Sequence, residues 1–199
     1  MGSSRNKKIG KQKKKKKAQD HILIVEGDLD NVSIDLVAGI ITTHTNPSKL
    51  SNFDIQAFDM MIICSPGRFI ETRSVRKIQI FVLKGKPLLT SDWCLNTVIE
   101  RIAPGFIQHN GKFTKREEID LELKNPDHFL VQGINQAIFQ NKCIIQAKTM
   151  PFEVLTDEVE VLTCSKILKR RYDSEACLVA FPKGQGLIYI PSSISTISM

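Results

Sequence analysis

Arg73, Arg76 and Lys77 crowd together where an amphipathic stretch opens at Ser74. Cations gathered at the start of a helix add charge-assisted hydrogen bonds to a favourable dipole, and that suits an acidic or phosphorylated partner. The other reactive residue types form no such group. Cys64, Cys94, Cys143, Cys164 and Cys177 stand far apart, and no Cys/His grouping has zinc-ligand spacing. Cys64, Cys143 and Cys177 lie in apolar runs, which predicts buried, reduced thiols. His21, His44, His109 and His128 are scattered. There is no Gly-rich phosphate loop, no G-x-S-x-G elbow and no paired metal ligands. The expectation is a binding protein that is not an enzyme and needs no cofactor.

The elements that must position the basic cluster can be read in order. Ile22 to Val25 is a continuous apolar run, as in a strand buried on both faces, and Glu26-Gly27-Asp28 ends it. Asp30 or Asn31 can cap a helix carrying Ile34, Val37 and Ala38. Ile40 to Thr43 is rich in β-branched residues and predicts a second strand. Met60 to Cys64 predicts a third. Ser74 to Leu83 has helical spacing through Val75, Ile78, Phe81 and Val82, and Gly85 stops it. Pro87-Leu88-Leu89 is a short fourth strand. Thr90 or Ser91 then caps a helix through Trp93, Leu95, Val98 and Ile99. This order predicts an α/β domain whose mostly parallel four-stranded sheet is flanked by helices.

The spacing of Gly85, Pro87 and Trp93 after an amphipathic helix resembles the BRCT family, over His21 to about Ile107. The resemblance implies that Trp93 is a core plug between helix and sheet. It also implies phosphoserine or phosphothreonine recognition in a nuclear, DNA-damage-response setting. Lys77 stands at the family's phosphate-binding lysine and Gly27 at its glycine. The family's hydroxyl position is Glu26, a carboxylate that would repel phosphate; Thr72 or Ser33 could supply a hydroxyl instead. The family's arginine three residues before the lysine is Ser74, with Arg73 adjacent.

The rest of the chain predicts a shorter copy of the same plan. Residues 1–20 read as a basic, unfolded tail, 21–108 as a first BRCT-like domain, 109–141 as a charged linker with a helix at Phe129 to Phe139, and 142–199 as a second, shortened domain. Within the second, Phe152 to Leu168 reads as helix, and Cys177 to Phe181 and Leu187 to Ile190 as strands. A final helix would open at Ser192-Ser193. The two repeats are expected to touch through Ser74 to Leu83 and the linker helix.

The chain has 199 residues and a net charge of +7, and Arg5, Lys7, Lys8, Lys11 and Lys13 to Lys17 account for all of it. That run suits nuclear import or nonspecific DNA attraction. No apolar stretch suggests a membrane span or a secretory leader. Two alternatives stand beside the phosphopeptide reading. One is a phosphate-independent or DNA-associated scaffold. The other is a degenerate receiver domain, which Ile22 to Asp28 resembles; there Cys64 occupies the place of the acceptor carboxylate.

Overall fold

The computed structural model describes residues 20–27, 40–64, 69–132 and 142–197. The first apolar runs become β1 (His21–Val25), β2 (Ile41–Thr45) and β3 (Met60–Ile63). β1 pairs in parallel with β2 on one side and β3 on the other, and β3 pairs in parallel with β4 (Leu88–Thr90). Between β3 and β4 runs α1 (Thr72–Leu83), which buries Val75, Ile78, Phe81 and Val82 as its spacing predicts. Gly85 follows with φ +97° and returns its N–H to the Val82 carbonyl at 2.9 Å. That left-handed turn is the usual way to stop a helix, and glycine adopts it without strain. After β4 the chain coils through a 3-10 turn (Asp92–Cys94), a π turn (Leu95–Ile99) and α2 (Glu100–Ile102).

The second half does not repeat this plan. It contains β5 (Ile107–His109), β6 (Glu117–Ile119), β7 (Glu122–Leu123), α3 (Phe129–Gln132), β8 (Lys142–Ile145), β9 (Phe152–Val154) and β10 (Glu160–Cys164). Then come α4 (Lys166–Tyr172), β11 (Ala176–Lys183), β12 (Gly186–Pro191) and β13 (Ile194–Ile197). In place of two separate four-stranded sheets, strands from both halves form one eight-stranded sheet in the order β2-β1-β3-β4-β12-β11-β10-β7. It is parallel from β2 to β12 and antiparallel beyond. The reason lies at β4, whose outer edge is closed by β12 through Ile188 beside Leu88 and Tyr189 beside Leu89. The sheet therefore runs across the expected boundary at residues 109–141. One core holds Leu23, Phe81 and Leu88 together with Phe152, Phe181 and Ile188.

Other expectations also give way. Phe152 to Leu168 is β9, β10 and the start of α4 rather than one helix. Ser165 caps α4 by accepting the Leu168 N–H at 3.2 Å, which makes it a helix start and not a helix interior. The charged stretch from Lys112 to Asp127 contains β6 and β7, and Ser192-Ser193 leads into β13. α1 and α3 do not meet across a repeat boundary. Val131 of α3 packs with Tyr189, whereas Phe81 of α1 packs with Ile188, and successive residues of β12 point to opposite faces. Trp93 is half-buried at the rim of the main core, and Cys94 beside it is fully buried. The tail, the Ile34 to Ala38 helix and most of the expected linker helix lie outside the described residues.

Candidate functional site

The expected anchor is built on the first turn of α1. Glu71 occupies the cap position without a side-chain capping hydrogen bond. Its carboxylate instead accepts from Arg73 Nε at 2.6 Å. Arg73 also donates to Ser51 Oγ at 2.8 Å. From α2, Arg101 reaches across to Thr72 Oγ1 at 3.1 Å. Thr72 and Arg76 are one helical turn apart and share a face. Arg76 and Arg101 thus flank the same side of the α1 start, Arg73 lies beside them, and all are exposed. Arg101 has no place in the cluster that the sequence alone marks out. Only the packing of α2 on α1 brings it there.

Lys77 is placed differently from the phosphate anchor that the resemblance implies. Its ammonium donates to the carbonyls of Ser51, at 2.9 Å, and Phe53, at 3.2 Å. These carbonyls end a 3-10 turn over Pro47–Asn52, so the lysine ties that turn to α1. Lys86 does the same for the next turn, donating to the carbonyls of Gln56, at 2.7 Å, and Phe58. Ser74, at the family's arginine position, is fully buried, with its hydroxyl unpartnered.

Glu26 and Lys77 are not brought together. The Glu26 carboxylate meets His44 Nδ1 at 2.8 Å. The His44 backbone pairs with Ile24, whose side chain lies in a cluster with Ile22 and Ile62. α1 packs on the other face, against Leu23 and Val25. The sheet therefore separates the carboxylate from the lysine. Gly27 follows Glu26 just beyond the end of β1. Gly85 lies at the end of α1 and Pro87 at the entry to β4.

A second grouping lies where β4 and β12 end, the edge at which open α/β sheets commonly bind ligands. Asp92 is fully buried there. It accepts from the Met150 N–H at 2.6 Å and from Ser193 Oγ at 2.7 Å. Burial pushes its carboxyl above the usual range, and the bonds from Met150 and Ser193 pull partly back. Burial likewise pushes the Cys94 thiol up to about 12. A thiol held protonated is a poor nucleophile, and Asp92 is saturated by the segments it joins. This constellation can clamp loops together. Among the described residues no group of His, Cys, Asp and Glu could hold a metal ion.

No protein-family model matches the chain, and no curated protein matches it in sequence. Among solved structures it is similar to a ThuA-like protein from Bacteroides uniformis, with TM-score 0.63 and 8% identity, over 93% of this chain and 86% of that one. It is also similar to a GMP synthase-type protein from Thermoplasma acidophilum, with TM-score 0.57 and 10% identity, over 88% and 84%. A third is a cytoplasmic protein from Salmonella typhimurium, with TM-score 0.58 and 15% identity, over 78% and 70%. At these identities the likeness is one of fold: the chain is an α/β protein built on a large, mostly parallel central sheet.

Proposed function

We propose that the chain is a non-enzymatic protein-interaction module whose partner is an acidic or phosphorylated peptide, held at the start of α1. The observation that carries this is the reach of Arg101 from α2 to Thr72, which brings a second exposed arginine beside Arg76 at a helix start whose cap makes no side-chain hydrogen bond. Arginine forks match phosphate and carboxylate geometry, and first-turn N–H groups add a positive end. Thr72 supplies the hydroxyl that Glu26 cannot. The parallel arrangement of β2, β1, β3 and β4 supports a BRCT-like reading of the first half, while the antiparallel second half departs from it. The lysine-rich stretch before residue 20 supports a nuclear setting, with nonspecific attraction to DNA. A catalytic role of the kind that the name GMP synthase suggests draws no support from Cys94, which is fully buried, with its thiol pushed up by that burial.

The phosphate-independent scaffold is favoured by one observation, the engagement of Lys77 with Ser51 and Phe53. Calorimetric titration of matched phosphoserine and serine acidic peptides separates the two. The phosphorylated peptide should bind the parent more tightly. Arg76→Gln and Arg101→Gln should each weaken it by on the order of ten- to a hundredfold, the value of a charge-assisted hydrogen bond. Equal affinity for both peptides, unmoved by either substitution, would leave the scaffold.

A further inference from the structure

Three stretches that lie far apart in the chain meet at the end of α4. The Lys112 ammonium pairs with the Asp173 carboxylate, and Asn110 Nδ2 donates to the Tyr172 carbonyl at 2.6 Å. The Lys115 N–H donates to Tyr172 Oη at 3.1 Å, and Arg171 pairs with Glu117. Lys148 joins from the turn after β8, its N–H donating to the Thr114 carbonyl at 2.9 Å. Together they make a patch on which Lys115, Arg116, Lys148, Lys169 and Arg170 are all exposed. Glu117, Glu118 and Asp173 are its acids. Lys112, and more weakly Lys169, hold the Asp173 carboxyl below its usual range, and Glu117 accepts from Tyr172 Oη as well as meeting Arg171. The chain after Lys17 is slightly acidic, so this excess of cations departs from its average. β8 runs from Lys142, beside Ile197, to Ile145, beside Glu117. The patch lies beyond the Ile145 end and is made of described residues alone.

An aromatic ring stands among these cations. Phe113 is 58% exposed, with its ring 5.1 Å from that of His109. The backbone around it is pinned. The Asn110 N–H donates to the Pro151 carbonyl at 3.2 Å, the Lys112 N–H to Asn110 Oδ1 at 3.1 Å, and the Thr114 N–H to the Thr149 carbonyl at 3.1 Å. Thr114 is buried, and its hydroxyl donates to the Gln146 carbonyl at 2.6 Å. An exposed phenylalanine alone carries no meaning. A ring held by a pinned loop and flanked by cations has the two parts that a single strand of nucleic acid requires, a face for a base and charge for its phosphates. Asn110 also takes up the Tyr172 carbonyl, which softens the negative end of α4 toward a phosphate.

We propose that this patch binds single-stranded nucleic acid, with a base stacked on Phe113 and the backbone along Lys115, Arg116, Lys148, Lys169 and Arg170. An acidic protein would meet the charges and leave the ring unused. A duplex keeps its bases stacked on one another. The sequence shows no such grouping, because the loop after β5, the turn after β8 and the end of α4 are brought together only by folding. This inference does not rest on the α1 site, which is built on other elements.

Fluorescence anisotropy of the full chain with labelled oligothymidylate and oligouridylate of roughly 12 nucleotides tests it, the pair distinguishing DNA from RNA. The lysine-rich stretch before residue 18 attracts any polyanion, so the patch is read from variants. Phe113→Ala should weaken single-strand binding on the order of tenfold, the value of one stacked base, and leave binding of a duplex of equal length unchanged. Lys169→Gln combined with Arg170→Gln should flatten the dependence of log affinity on log salt by roughly 0.7 for each cation removed. Both proteins should keep the parent's circular dichroism spectrum, because the altered side chains are exposed. Lys115→Gln combined with Arg116→Gln carries the charge test if the α4 variant does not fold. A parent that binds neither oligonucleotide overturns the proposal. So do folded Phe113 and charge variants that bind single strands like the parent, which would leave the basic stretch as the contact. Labelled polyglutamate that binds as tightly as the oligonucleotides, and loses as much affinity in the charge variants, overturns it in favour of an acidic protein.

Discussion

Lys77 illustrates how one cation can serve a ligand or the fold, and which of them it serves here can be measured. Its ammonium satisfies the carbonyls of Ser51 and Phe53. Lys77→Met keeps most of the methylene stem's packing and leaves both carbonyls without their donor. The expected cost is roughly 1–3 kcal/mol of stability, since the group is partly solvated and water can reach the carbonyls. Urea unfolding should show a lowered midpoint, while affinity for an acidic peptide stays near the parent's. The reverse pattern, an unchanged midpoint with lost binding, would make Lys77 a ligand anchor after all. The cationic character of this region is legible in the sequence, because Arg73, Arg76 and Lys77 are neighbours there. Their division of labour is not. The partners of Lys77 lie on a distant 3-10 turn, and Arg101 joins the cluster only through the packing of α2. The side of the sheet occupied by Glu26 is equally hidden, because it follows from strand parity and from where α1 docks.

At the scale of elements, α1 and β12 are joined by a contact that tolerates no side chain. A Cβ on Gly186 would stand 2.3 Å from the Val82 carbonyl oxygen and 2.8 Å from that of Lys86. Both are backbone atoms, so relief requires the helix end or the strand to move. Gly186→Ala should destabilise the protein by roughly 1–3 kcal/mol, as overpacking does, or more if the hairpin of β11 and β12 is displaced. A thermal midpoint unchanged from the parent would show that the helix end yields freely. Elements with strong local signals, such as β1, β3, α1 and β11, are readable because hydrophobic period and glycine stops mark them. Phe152 to Leu168 is not. Its residues form strands because β5 and β11 are there to pair with β9 and β10.

For the molecule as a whole, the single sheet joins strands of both halves in one hydrogen-bonded layer. Residues 21–108 alone would expose the β4 edge and the faces of Phe81, Leu88 and Val98 that now meet Phe181 and Ile188. Such a fragment should be largely unfolded or aggregated at temperatures where the full chain is folded, by the usual scaling of core with size. A fragment with dispersed amide resonances and the parent's melting temperature would restore the idea of separate repeats. The strand order cannot be read from the sequence because joining β12 to β4 is a long-range choice. Locally, both strands are short apolar runs that fit a small separate sheet equally well.

The pairing of Leu88 with Ile188 has a further consequence during synthesis. A ribosome adding roughly 5–20 residues each second needs on the order of 5–20 s to cover the stretch between them. Throughout that interval the nascent first half has a complete α1 and an open β4 edge, with its fifth strand still unmade. The nascent chain is therefore most exposed to wrong strand pairing in the middle of its own translation, and slower translation of the second half lengthens that exposure.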